Sequence, residues 1–170
     1  MTESIIIIDF GSQVTKLIAR RIREFGVFSQ IVPFNKVTKK LLGNNSVKGI
    51  IFSGGPKSVH EKNSPKIDDY IYELEIPILG ICYGLQLIAK QFGGNIIPST
   101  EREFGKTKIK LTKKSPLLKN VLFPNKPAQV WMSHSDKISV IPYSFEKIAS
   151  SDNCEFAVIQ NQKKKIYCLL

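Results

Sequence analysis

The residues with the clearest chemical purpose are Gly80-Ile81-Cys82-Tyr83-Gly84, where the apolar run Ile76 to Ile81 meets a helical pattern from Tyr83 to Phe92. A cysteine between two glycines at a strand-to-helix turn is the thiol version of a nucleophile elbow. The glycines have a physical reason. The neighbouring chain passes close to both flanking positions, and the nucleophile itself sits on a strained backbone. The thiol then projects from the top of a sheet beside the positive end of a helix, which favours the thiolate. The Tyr83 backbone N–H points to where a tetrahedral oxyanion would form. A structural cysteine between two turn glycines is the plainer reading, and the strand and helix on either side weigh against it.

A second signal is Ser53-Gly54-Gly55-Pro56, which ends another apolar run. A glycine there lets a backbone N–H approach a ligand and supply a second oxyanion donor. A plain turn or a phosphate loop are the alternatives, but no Gly-Lys-Ser/Thr follows, so the nucleotide reading is weak. A cysteine nucleophile needs a base, and the chain has two histidines. His60 lies in the polar segment Ser58 to Ser64 and is expected at the surface. His134 lies in Trp131-Met132-Ser133-His134-Ser135-Asp136, just past a strand, and from the residues alone Cys82 with His134 is the natural dyad. Cys154 and Cys168 sit among ordinary strand and turn residues and read as structural. The three cysteines have no metal-ligand spacing, and their odd number argues against a disulfide framework.

These groups need a scaffold, and the first half of the chain supplies one. Strands are expected at Ser4 to Asp9, Phe28 to Val32, Gly49 to Phe52 and Ile76 to Ile81. Helices are expected at Thr15 to Phe25, with Leu17, Ile18, Arg21, Ile22 and Phe25 at helical spacing, and at Lys36 to Leu42, Asp68 to Leu74 and Tyr83 to Phe92. Strands alternating with helices in this way predict an α/β fold with a doubly wound, mainly parallel sheet. The second half reads as short strands at Lys106 to Leu111, Gln129 to Met132, Glu146 to Ala149, Phe156 to Gln160 and Ile166 to Leu170, which suggests an antiparallel extension or edge.

The 170 residues suit one domain around a single core. The run Ile5 to Ile8 is too short to span a bilayer and no leader pattern is visible, so the cytoplasm is the expected compartment. The net charge of +11 could mark a nucleic-acid binder. The basic clusters Lys39-Lys40, Lys113-Lys114 and Lys163-Lys164-Lys165 are short, separated and free of interleaved aromatics, so neither nucleic acid nor membrane is expected as a partner. The last cluster falls where a hairpin loop is expected.

With these segments in view, the chain resembles the class I (triad) glutamine amidotransferases, and within them the GMP synthetase group. The resemblance is carried by Ile8-Asp9-Phe10-Gly11-Ser12-Gln13 with Leu17-Ile18-Ala19-Arg20-Arg21, by Ser53-Gly54-Gly55-Pro56 and by Gly80-Ile81-Cys82-Tyr83-Gly84-Leu85-Gln86. Arg102-Glu103-Phe104-Gly105 and Val130-Trp131-Met132-Ser133-His134-Ser135-Asp136-Lys137 complete it. It implies Cys82 as nucleophile on the side-chain amide of L-glutamine, with Gly55 and Tyr83 as oxyanion donors. Gln86 would help hold the substrate, and the backbone around Ser135 and Asp136 would receive its α-carboxylate. The family usually has glycine where Ser135 stands; if that backbone needs positive φ, the serine is mildly strained.

The resemblance places the base elsewhere than His134: on a His-Pro-Glu segment directly after the final strand, which neither histidine of this chain matches. The expectation is therefore an amidotransferase domain over residues 1–170, cut short before that segment and inactive alone. An ATP pyrophosphatase domain, using ATP and Mg²⁺ to activate XMP, and a dimerisation domain would lie outside it. The glutaminase part itself would need no cofactor, and its ammonia would serve a ligase of purine biosynthesis, in cis or in trans. The competing expectations are the amidotransferase subunit of another synthase, a catalytically inert α/β docking domain, and a cysteine hydrolase using His134.

Overall fold

Four consecutive isoleucines make β1 (Ser4–Asp9), because branched side chains stiffen an extended backbone and pack on both faces of a sheet. Ile6 and Ile8 join one apolar cluster and Ile7 another on the opposite face. The computed structural model describes residues 2–170, apart from the side chains of residues 99–104 and 133–135. After β1 come α1 (Thr15–Glu24), β2 (Phe28–Pro33), α2 (Lys39–Leu42), β3 (Val47–Phe52), β4 (Ile78–Ile81) and α3 (Tyr83–Gln91). The remaining strands are β5 (Asn95–Leu111), β6 (Ala128–Val140), β7 (Glu146–Ser150), β8 (Val158–Asn161) and β9 (Ile166–Leu169).

These strands form one sheet in the order β2-β1-β3-β4-β9-β8-β7-β5-β6. The strands from β2 to β9 in that order run parallel, and the pairings from β9 to β6 are antiparallel. The two longer helices flank the parallel half on opposite faces. Ala19, Ile18 and Ile22 of α1 cover Ile7 and Ile51, while Leu85, Ile88 and Ala89 of α3 share the main core with Ile6, Ile8, Ile50 and Phe52. The fold is the doubly wound α/β arrangement with an antiparallel extension.

Several expectations shift in detail. α1 turns Thr15, Ile18, Ala19 and Ile22 inward, leaving Leu17 and Phe25 50% and 85% exposed, because position 17 lies about half a turn away from position 19. The helix expected over Lys36 to Leu42 is split. A 3-10 turn covers Phe34–Lys36, Val37 is extended, and Thr38 restarts the helix by accepting the Leu41 N–H at 3.2 Å, as an N-cap threonine does. Asp69–Glu73 is likewise a 3-10 helix. The strands expected at Lys106 and Gln129 belong to a much longer hairpin, β5–β6, whose pairing shifts register between Pro98 and Glu103.

The last strand refines the reading of the second half. Ile166 to Leu170 read as part of the antiparallel extension, yet β9 pairs in parallel with β4, Gly80 facing Cys168, and antiparallel with β8. It therefore joins the two halves of the sheet. The hairpin that delivers it turns at Lys165, with φ 54°, in the basic loop where a turn is expected.

Candidate active site

β4 ends at Ile81 and α3 begins at Tyr83, so the chain turns sharply on one residue, Cys82, at φ 48° and ψ −106°. That is sparsely populated backbone for a residue with a side chain, and it persists only when the surroundings hold it. They do. The Cys82 N–H donates to the Leu169 carbonyl at 2.9 Å, the Gly84 N–H to the Ser53 carbonyl at 3.2 Å, and the Gln86 N–H to the Cys82 carbonyl at 3.0 Å. The elbow is thus tied to β9, to the loop after β3 and to the first turn of its own helix.

The flanking glycines are required by space. A Cβ on Gly80 would lie 2.7 Å from Ile88 Cδ1 and 3.0 Å from the Gly84 carbonyl carbon. A Cβ on Gly84 would meet the Phe52 carbonyl oxygen and lie 2.6 Å from Phe52 Cβ. Tyr83 presents only its backbone to the elbow. Its ring is buried against Phe10 and its hydroxyl donates to the Pro65 carbonyl at 2.5 Å. Among the described residues no backbone acceptor takes the Tyr83 N–H, which leaves it available to a developing oxyanion.

Ser53-Gly54-Gly55-Pro56 comes to the same place. A Cβ on Gly54 would sit 3.7 Å from Cys82 Cβ and 3.5 Å from Ser12 Oγ, whereas one on Gly55 would lie 2.7 Å from the Phe10 carbonyl oxygen. Gly54 is therefore the neighbour of the thiol, and Gly55, the residue that the sequence singles out, is the next along the loop. The buried Ser53 hydroxyl donates to the Gly54 carbonyl at 3.0 Å and accepts the Phe10 N–H at 3.3 Å, fixing the loop to the end of β1.

Gln86 lies one helical turn beyond Cys82, and its side-chain amide donates to the Asp136 carbonyl at 3.3 Å. Asp136 is buried, and its carboxylate accepts the Ser58 hydroxyl at 2.6 Å. The side chains of His134 and Ser135 lie outside the described residues. Cys82, Tyr83, Gly54, Gly55, Gln86 and Asp136 thus form one linked group. Ser58 is a member that sequence reasoning missed; its only signal is Ser58-Val59-His60-Glu61, the spacing of a capping box. His60 is exposed, as expected, and its Nε2 lies 2.9 Å from the Ile96 carbonyl. Cys154 and Cys168 are buried.

The electrostatics differ from the simplest expectation. Burial pushes the Cys82 thiol above its ordinary value, against the pull of the α3 N-terminus. Burial thus works against the thiolate, and nucleophilic chemistry calls for a base. Among the described residues no group of three His, Cys, Asp or Glu side chains could hold a metal.

The family model of the class I glutamine amidotransferases matches residues 6–169. The chain belongs to that family. Among its relatives, the glutamine-hydrolysing GMP synthase of Latilactobacillus sakei is 51% identical over 166 residues, covering 97% of this chain and 31% of that one. The enzyme of the same name from Aquifex aeolicus is 45% identical over 163 residues, with 96% and 31% covered. This amidotransferase chain therefore spans about a third of the length of the curated relatives it matches. A glutamine amidotransferase crystal structure from Thermotoga maritima superposes with a TM-score of 0.79 at 17% identity, covering 99% of this chain and 75% of that one. Among the described residues of this amidotransferase chain, no helix is long and apolar enough to cross a membrane.

Proposed function

We propose that the chain supplies the nucleophile for L-glutamine hydrolysis through a thioester on Cys82, and that the ammonia aminates XMP to GMP in a synthetase region of the kind the resemblance implies. The observation that carries the reading is the Cys82 elbow, a strained non-glycine residue at φ 48° held between two obligatory glycines beside the Gly54 loop. Cys82 Sγ attacks the side-chain carbonyl carbon as its proton passes to a base, and the oxygen takes up negative charge. The N–H groups of Tyr83 and Gly55 receive that charge. The C–N bond then breaks, the base returns the proton to the leaving ammonia, and water cleaves the thioester to give glutamate and the free thiol. Gln86 and the backbone at Ser135 and Asp136 hold the amino-acid end of the substrate.

The base is proposed to come from outside the 170 residues, on the His-Pro-Glu segment that the resemblance implies. His60, exposed and bonded to the Ile96 carbonyl, supports that assignment. ATP and Mg²⁺ would act only in the synthetase region, and the proposed compartment is the cytoplasm. The test is ammonia release from glutamine. The expected result is near-background release by the chain alone and recovery when the matching continuation of a relative is added. General acid–base catalysis contributes on the order of 10²–10⁴-fold, so the gap should be of that size. Robust hydrolysis by the chain alone, abolished in His134→Ala, would overturn the choice of base.

A further inference from the structure

The hydroxyl of Ser58 donates to Asp136 Oδ2 at 2.6 Å across 78 positions of sequence. Asp136 is 7% exposed, and a buried carboxylate without a donor is costly. The turn that carries Ser58 is itself held on several sides. The Ser58 N–H donates to Glu61 Oε1 at 2.9 Å, and the Glu61 N–H to the Ser58 carbonyl at 3.1 Å. Next to it, Lys90 Nζ of α3 donates to the Val59 carbonyl at 2.6 Å, and His60 Nε2 bonds the Ile96 carbonyl of β5 at 2.9 Å. Val59 between them is buried. A hydroxyl fixed in this way meets its acceptor with little entropy left to lose.

Asp136 passes that order on. Its strand partner is Pro98, which has no N–H to donate, and its carbonyl accepts the Gln86 side-chain amide instead, at 3.3 Å. Gln86 in turn donates its N–H to the Cys82 carbonyl at 3.0 Å. Hydrogen bonds joined through the covalent frames of Asp136 and Gln86 thus link Ser58 to the backbone of the nucleophile. We infer that Ser58 is a positioning residue for the amino-acid end of the substrate: it sets Asp136, and through Asp136 sets Gln86, without touching the reacting atoms. The inference rests on the reading of Cys82 and glutamine given above.

A chloroketone analogue of L-glutamine tests it without turnover. The Cys82 sulfur displaces chloride from the chloromethyl carbon, forming the S–C bond as C–Cl breaks and the thiol proton passes to solvent. Saturation kinetics separate the binding constant from the maximal rate, and iodoacetamide, which lacks the amino-acid end, reads thiol reactivity alone. In Ser58→Ala the half-saturating concentration of the chloroketone should rise about tenfold or more, the usual scale for a hydrogen bond to a charged group. The iodoacetamide rate should be unchanged, and Ser58→Thr, which keeps the hydroxyl, should restore binding. If Ser58→Ala fails to fold, Glu61→Ala decides: a smaller rise with an unchanged iodoacetamide rate supports the role, and no rise overturns it.

Unchanged saturation of Ser58→Ala, in a protein that glutamine protects, would overturn the role of Ser58 and leave the glutaminase reading standing. Equal losses with both reagents would mean a general structural effect and overturn it as well. A wild-type protein that neither saturates with the chloroketone nor is protected by glutamine would remove the glutaminase reading, and this assignment with it.

Discussion

At Gly84 and Gly54 the same substitution has different consequences, because one glycine faces backbone at close range and the other meets its neighbours at ordinary contact distances. A methyl on Gly84 lands on the Phe52 backbone oxygen and within 2.6 Å of its Cβ, so Gly84→Ala should lose about 2–3 kcal/mol, read as a fall in melting temperature. A methyl on Gly54 meets Ser12 and Cys82 only at 3.5 and 3.7 Å. Gly54→Ala should therefore melt as the wild type does but slow modification of Cys82, which it crowds. The thiol itself should show a pH dependence. Burial raises it, so its alkylation rate should climb with a midpoint above the ordinary cysteine value of about 8.5; a midpoint well below that would show that the helix N-terminus dominates. The elbow glycines and Cys82 are legible in sequence because steric necessity leaves few residue types to choose from. Ser58 is not, because its partner lies 78 positions away and its capping-box spacing with Glu61 points to a local turn, not to Asp136.

Among the elements, β9 has the greatest leverage. It supplies the Leu169 carbonyl that holds the Cys82 N–H and sets Cys168 opposite Gly80. Cys168 is fully buried, and burial pushes its thiol far above the ordinary range. The folded chain keeps this proton where the unfolded chain would release it. The contribution to stability is complete below about pH 8.5 and is lost as pH rises beyond that value. Urea midpoints should therefore decline from about pH 8 to about pH 10, and Cys168→Ala should reduce the slope; a midpoint independent of pH would contradict the assignment. Strands β1, β3 and β4 are legible because each carries a branched apolar run between turn residues. Strands β2 and β9 carry weaker patterns, and the parallel pairing of β9 with β4 is set by the rest of the sheet. The long β5–β6 hairpin is not legible. Pro98 and the polar residues after it interrupt the alternation that marks a strand, and pairing with β6 overrides that local signal. The fault in α1 is one of phase. Helical spacing identifies the helix, but packing against the sheet decides which stripe is buried, and it favours Ala19 over Leu17 and Phe25.

At the scale of the whole molecule, the sheet brings distant segments to one thiol. The ends of β3 and β4 and the first turn of α3 meet there, tied by bonds such as Gly84 to Ser53, and the middle of β6 joins the first turn of α3 through Gln86 and Asp136. The family resemblance makes that convergence legible; composition and periodicity alone do not. Exposed ion pairs such as Arg20–Glu24 and Lys57–Glu61 contribute little to stability. The proposed function requires that L-glutamine bind beside Cys82. The most direct measurement of that requirement is peptide mass mapping after brief exposure to the glutamine chloroketone, with and without excess L-glutamine. The expected result is a single label on Cys82, suppressed by L-glutamine and not by D-glutamine, with the buried Cys154 and Cys168 untouched. Labelling that L-glutamine does not suppress, or that falls on Cys154 or Cys168 in the folded chain, would contradict it.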